Sequence, residues 1–348
     1  MVRIVYSEKH KLHADPRGYH PENPERLERA FKALMDAPFN KYLKVVNPPS
    51  PKEDLLFLVH NEYYVNYILE ESRKGFHYID FDTYVTEYTY ELAASFFTAS
   101  FESAAEALNT KEFIVVMPRP GGHHAGVNGV AFGAPTLGFC VFNYAAAAAK
   151  SLLLKGYKTL IIDFDAHHGN GTQEIFWNEG RVVHIDIHEE GIYPGSGDVR
   201  DLGGVNAEGT KINIPVVRGA GDETYLWTLA NVIDKVVEVF QPNALVVSAG
   251  FDAHSGDPLT GLNVSDETYR AFGAYFNKLA YSDVKAVISV VEGGYGKGLI
   301  SGLVNYVEAL LSGQFIKPEI TGKPLIREGA LRDLKTLLSR YWGIELQV

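Results

Sequence analysis

The 348-residue chain has one cysteine, Cys140, and only three methionines and three tryptophans. A single thiol supports neither an internal disulfide framework nor a cysteine-based zinc site, and it suits a reducing cytoplasm. Long apolar runs are missing as well: no stretch reaches the roughly 18 consecutive apolar residues of a membrane span. The opening Met1-Val2-Arg3-Ile4-Val5-Tyr6 turns polar too soon for a signal peptide, so a cytoplasmic location is expected. Positive charge is in deficit: 32 Lys and Arg face 43 Asp and Glu, a net −11. That balance argues against direct nucleic-acid binding and favours a neutral or cationic substrate. No internal repeat, linker or low-complexity segment divides the chain. The composition, 46% hydrophobic and 22% charged, is that of a globular protein with a sizeable core.

What is present is an alternation of strands and helices. Apolar runs at Val2–Tyr6, Phe113–Met117, Thr159–Ile162, Arg181–Ile187, Lys211–Ile214, Ala244–Ser248 and Ala286–Val291 read as buried strands. Helices are expected after Asn23-Pro24, after a capping box at Ser50–Glu53, and over 61–74, 87–109, 143–155, 222–240, 266–281, 299–311 and 330–341. Such alternation predicts an α/β fold with a parallel sheet covered on both faces. The run from Pro118 to Gly126 looks hostile to any helix or strand. Residues 313–329 carry little pattern, and the last helix is expected to pack on the outside as an extension, 313–348, of one domain spanning 1–348.

Five of these strands lead into polar groups suited to chemistry. Thr159–Ile162 ends at Asp163, Asp165 and His167, whose spacing of two puts them on one side of an extended chain. Ala244–Ser248 leads to Asp252, with Asp257 and His254 as rivals. Asp165, His167 and Asp252 would leave open positions on a bound zinc, as catalysis requires. Phe113–Met117 leads to His123-His124 in a glycine-rich turn, two imidazoles able to act as general base and acid. Asp163 and Asn170 could orient them through the other ring nitrogen. Tyr295, in Gly-Gly-Tyr-Gly after Ala286–Val291, could donate to an oxyanion. Val183–Ile187 leads to His188 and then Tyr193-Pro194-Gly195-Ser196-Gly197, and Phe139 and Tyr193 could wall an apolar slot.

With these residues in place, the sequence resembles the histone deacetylase family of zinc amidohydrolases, in the arginase/deacetylase superfamily, from about Val2 to Leu311. The resemblance rests on Arg119-Pro120-Gly121-Gly122-His123-His124-Ala125, Gly138-Phe139-Cys140, Asp163-Phe164-Asp165-Ala166-His167-His168-Gly169-Asn170-Gly171, Tyr193-Pro194-Gly195-Ser196-Gly197, Ser248-Ala249-Gly250-Phe251-Asp252-Ala253-His254, Glu292-Gly293-Gly294-Tyr295, and His20-Pro21-Glu22-Asn23-Pro24-Glu25-Arg26. It implies a single domain built on a central, mainly parallel eight-stranded sheet. It implies one zinc per chain on Asp165, His167 and Asp252, and His124 as general base and acid with His123 as its electrostatic partner. Asp163 would pair with His123, Asn170 with His124, and Tyr295 would polarise the acetamide carbonyl. Gly138, Phe139 and Tyr193 would line the acyl-chain tunnel, and Asp82 would meet the substrate backbone. A structural potassium ion is implied near Asp163, Asp165, His167, Asp186 and Ile187, held partly through main-chain carbonyls.

Several positions depart from the family pattern. Gly121 stands where a second proline is usual and is expected to loosen the histidine loop. Asn170 replaces an aspartate of one branch, and Tyr193 replaces the usual tunnel phenylalanine and adds a polar tip. Asp186 replaces a common serine, which would strengthen cation binding or change its selectivity. Leu259 follows Asp257-Pro258 where one polyamine-selective group has glutamate, which argues against that form of polyamine recognition. The expected reaction removes an acetyl or other acyl group from an N-acylated amine, either a protein acetyl-lysine or a small molecule such as an acetylpolyamine. An arginase-like ureohydrolase would need two manganese ions and more bridging aspartates. A non-catalytic acetyl-lysine reader would be expected to lack Tyr295 or a metal ligand. Oligomerisation is compatible with the sequence.

Overall fold

Short runs of valine, isoleucine and leucine without polar alternation form the centre of the molecule, buried on both faces as parallel strands must be. The computed structural model describes residues 1–318 and 322–346. Among the described residues, one eight-stranded sheet contains β1 (Val2–Val5), β2 (Leu43–Val46), β3 (Phe113–Val116), β4 (Thr159–Asp163), β5 (Val182–Glu189), β6 (Lys211–Val216), β7 (Ala244–Ala249) and β8 (Ala286–Val291). Their order is β6-β5-β4-β7-β8-β3-β1-β2, and every neighbouring pair is parallel. Helices Thr89–Thr110 and Tyr144–Leu154 pack over one face, where Ala145 to Ala149 let the two lie close. Helices Pro24–Asp36, Asp266–Ala280 and Gly298–Ser312 cover the other. This is the single α/β domain with a helix-flanked parallel sheet that the sequence led us to expect.

The strand order reverses between β4 and β7. From β4 the chain steps outward to β5 and β6; from β7 it steps the other way to β8. In open α/β sheets, a crevice at the carboxyl ends of the strands beside such a reversal is where ligands bind. Here it receives the residues after β4 and those after β7.

Local structure departs from expectation in several places. β2 is an edge strand with Lys44 and Val45 exposed, so neither burial nor alternation marks it in the sequence. Ser50 caps nothing: the helix there is one turn, Glu53–Leu56, begins at Lys52, and is tied down by Lys52 N–H donating to Thr98 Oγ1 at 3.0 Å. Asn23 occupies the N-cap position of Pro24–Asp36, but its side chain donates to His20 and Pro21 carbonyls instead of accepting from the helix. The helix over 222–240 contains a π turn at Leu229–Ile233. Ala125–Gly126, within the run from Pro118, pairs antiparallel with Gly129–Val130. The helix Glu328–Trp342 lays Leu334 and Leu338 into the core, and Trp342 Nε1 donates to Gly209 O at 2.8 Å. Residues 319–321, within the weakly patterned stretch, and 347–348 lie outside the described residues.

Candidate active site

β4 stops at Asp163, and Asp165, Ala166 and His167 follow in bends rather than in extended chain. The alternation that would point three residues one way is therefore broken, and Asp163 parts from the other two. Asp165, His167 and Asp252 each present a ligand atom, all within 4.8 Å of one another. His167 Nδ1 lies 3.1 Å from Asp165 Oδ1 and 2.9 Å from Asp252 Oδ2. The other carboxylate oxygens are oriented by backbone donors: Gly293 N–H reaches Asp165 Oδ2 at 2.7 Å and Ala166 N–H reaches Asp252 Oδ1 at 2.8 Å. A Cβ on Gly250 would stand 2.1 Å from Asp165 Oδ2, and one on Gly293 2.4 Å from Asp252 Oδ2. Only glycine leaves this cradle open. One imidazole and two carboxylates, with room beside them, fit a catalytic zinc ion. The rivals to Asp252 are engaged elsewhere. His254 bonds Ser255 O and faces Asp266. Asp257 accepts from the backbone N–H groups of Leu259, Tyr295 and Gly296.

The histidine pair sits against this centre, its rings 4.0 Å apart. His123 Nδ1 lies 3.0 Å from Asp163 Oδ2, and His124 Nδ1 lies 2.8 Å from Asn170 Oδ1. Asn170 donates its amide Nδ2 to Ala131 O at 3.0 Å, so its oxygen must face the imidazole. His124 is thus protonated at Nδ1 and keeps Nε2 as the basic nitrogen. The loop carrying both histidines is pinned. Gly121 donates to Phe139 O at 3.2 Å and accepts from Val141 N at 3.1 Å, so this glycine does not free the loop as expected. Glu292 Oε2 accepts from Gly122 and His123 N–H at 3.1 and 3.2 Å.

Tyr295 borders the same narrow pocket, which is also lined by His123, His124, Phe139, Asp165 and His167. The Phe139 and Tyr295 rings meet edge to face at 5.9 Å. Phe139 holds φ at 67°, a costly conformation for a residue with a side chain. Thr83 Oγ1 and Gly121 N–H secure its backbone on either side. Tyr193 sets its ring edge to face with His124 at 4.9 Å. Its hydroxyl donates to Thr136 O at 2.9 Å, so the polar tip is turned out of the slot. Gly138, at φ 55°, is required there because a Cβ would lie 2.6 Å from the Tyr193 ring. Asp82 is half-buried, with its oxygens accepting from Thr136 and Thr83 hydroxyls. Leu259 sits on the Asp257 turn, 37% exposed.

A histone deacetylase domain signature matches residues 20–311. The chain belongs to the histone deacetylase family. It is 41% identical to an uncharacterized protein of Methanocaldococcus jannaschii, over 86% of this chain and 84% of that one. It is 32% identical to a protein of Archaeoglobus fulgidus named a probable deacetylase, over 97% and 98% of the two chains. Among solved structures, the HDA15 HD domain superposes with a TM-score of 0.87 at 28% identity, over 98% of this chain and 97% of that one.

The electrostatics separate the two histidines of this family site. Burial opposes charge on His123, but the Asp165 and Asp163 carboxylates outweigh it and raise its pKa well above the usual imidazole value. Burial, with the charged His123 beside it, drives His124 well below it. Such a split marks one imidazole as the cation and the other as the neutral base.

Three supporting residues escape a reading of motifs alone. Arg26 stacks its guanidinium 4.4 Å from the Tyr295 ring centre and donates to Gly294 O at 2.7 Å and Glu292 O at 3.0 Å. Glu22 joins Arg26 to the buried Arg119. Asp257, set aside as a ligand, fixes the backbone of Tyr295. The Arg26 signal lay in the His20–Arg26 signature, with nothing local to say where its side chain reaches. Asp186 faces Asp163 across the ladder, while the Ile187 side chain lies in the core of the opposite face, which leaves only its main chain on the Asp186 side.

Proposed function

We propose that the protein is a zinc-dependent deacetylase that hydrolyses the amide of an N-acetylated amine, such as an acetyl-lysine side chain, to acetate and the free amine. The observation that carries this reading is the convergence of His124, backed by Asn170, and Tyr295 on the pocket beside Asp165, His167 and Asp252. A zinc ion held by those three would polarise the carbonyl and lower the pKa of water. His124 Nε2, its proton affinity directed by Asn170 behind it, takes the proton from water as it attacks the carbonyl carbon. The Tyr295 hydroxyl donates to the oxygen on which negative charge grows. Arg26 and Asp257 hold that phenol in place. The carbon–nitrogen bond then breaks as the proton on His124 passes to the leaving amine, with His123 stabilising the charge beside it. Phe139 and the Tyr193 ring offer apolar walls for an alkyl chain.

Membership of the family and the acidic charge of the chain both support an acylated amine as substrate. No helix among the described residues is long and apolar enough to cross a membrane. Cys140 is free and buried, in keeping with a cytoplasmic site of action. The decisive assay offers zinc-loaded protein an acetyl-lysine peptide, acetylputrescine and acetylspermidine in parallel, and follows acetate release. Turnover of the peptide is expected. Turnover confined to the polyamines would move the substrate to that class, and inactivity on all three with zinc bound would overturn the reading.

A further inference from the structure

A second group of metal-ligating side chains lies inside the sheet. Asp163 at the end of β4 stands on the same rung as Asp186 of β5, and His184 lies two residues before Asp186 on the same face. The three present ligand atoms within 4.8 Å of one another, and each is fully buried. Both ring nitrogens of His184 lack any hydrogen-bond partner. Its Nε2 stands 3.6 Å from Asp186 Oδ2, too far for a hydrogen bond. A buried imidazole aimed at two carboxylates and bonded to neither needs an explanation.

Potassium does not supply one. Potassium is held by oxygens, so it would leave His184 orphaned. Lys211, on the rung beside His184, does not partner it either: its Nζ turns to Val182 O at 2.9 Å and Thr210 Oγ1 at 2.7 Å. We infer that Asp163, His184 and Asp186 hold a divalent transition-metal ion in place of the potassium implied by the family resemblance. Imidazole with carboxylate is a ligand set for such ions. A metal–nitrogen bond accounts for the free imidazole. The other carboxylate contacts are already directed: Asp186 receives His188 Nδ1 at 2.7 Å and Gly169 N–H at 2.8 Å, and Asp163 receives His123. The ion would position His123 through Asp163.

The test is the cobalt(II) content of the folded chain after metal removal, reloading and gel filtration, with potassium in every buffer. Two cobalt ions per wild-type chain are expected, one in His184→Val and one in Asp252→Asn. One ion in the wild type, lost in Asp252→Asn and kept in His184→Val, overturns the inference while leaving the proposed zinc centre standing. Two ions in both wild type and His184→Val overturn it as well. If His184→Val does not fold, the His167→Asn protein loaded with copper(II) decides: imidazole-nitrogen coupling in its electron spin echo supports the site, and water-proton coupling alone overturns it.

Discussion

Two acid–imidazole groups flank the end of β4, two residues apart in sequence, and they differ in what surrounds them. Asp165, His167 and Asp252 hang from loops beyond the strand ends, where glycines keep side chains away and a pocket opens. Asp163, His184 and Asp186 sit on the ladder itself, and all three are fully buried. Similar ligand types therefore serve different ends according to whether the backbone is still paired. Where the ladder has ended, a bound ion can meet a substrate. Where it continues, an ion can only neutralise and brace.

This contrast predicts that changes on the open side alter turnover and changes on the sealed side alter stability. The largest effect is expected from His124→Ala: a loss of about 10²–10⁴ in kcat with the zinc content unchanged, the usual contribution of a general base. Full activity in that variant would erase the distinction between the two imidazoles. Tyr295→Phe should follow with a loss on the order of 10²–10³ in kcat and little change in KM, as for removal of one oxyanion donor. An effect confined to KM would make Tyr295 a binding wall only.

The smallest effect belongs to the sealed side. Burial, partly offset by Glu179, lowers the Lys211 amine to about 7, below its usual value near 10.4. Between those two values the unfolded chain binds the extra proton, so stability should rise with pH by at most about 1.4 kcal/mol per unit. Denaturant titrations from pH 7 to 9 should show this rise in the wild type and lose it in Lys211→Met, which should be the more stable protein at pH 7. Parallel pH profiles for the two proteins would place the Lys211 charge in solvent instead.

Much of this was legible in the sequence because the relevant signals are local. Unbroken apolar runs mark parallel strands, and polar groups right after them mark sheet-edge chemistry, so seven strands and the residues after β3, β4, β7 and β8 could be read directly. β2 could not, because an exposed edge strand of four residues carries neither signal. The spacing of Asp163, Asp165 and His167 misled in one respect: period-two reasoning holds only while the chain stays extended, and β4 ends at the first of them. His184 was invisible for the opposite reason. Within a buried strand a histidine looks like one more filled position, and only the rung between β4 and β5 shows that it faces two carboxylates. Arg26 and Asp257 act across distances in sequence that no spacing rule connects.

The complete burial of His184 and Asp186 has a kinetic consequence. With all three ligand side chains fully buried, an ion there would enter or leave only when the structure around it opens, an event on the scale of local unfolding. It would be captured while the chain folds and exchanged as slowly as that opening occurs. Its identity would then record the metals present when the protein was made, and a chelator that empties the pocket in minutes would leave it in place.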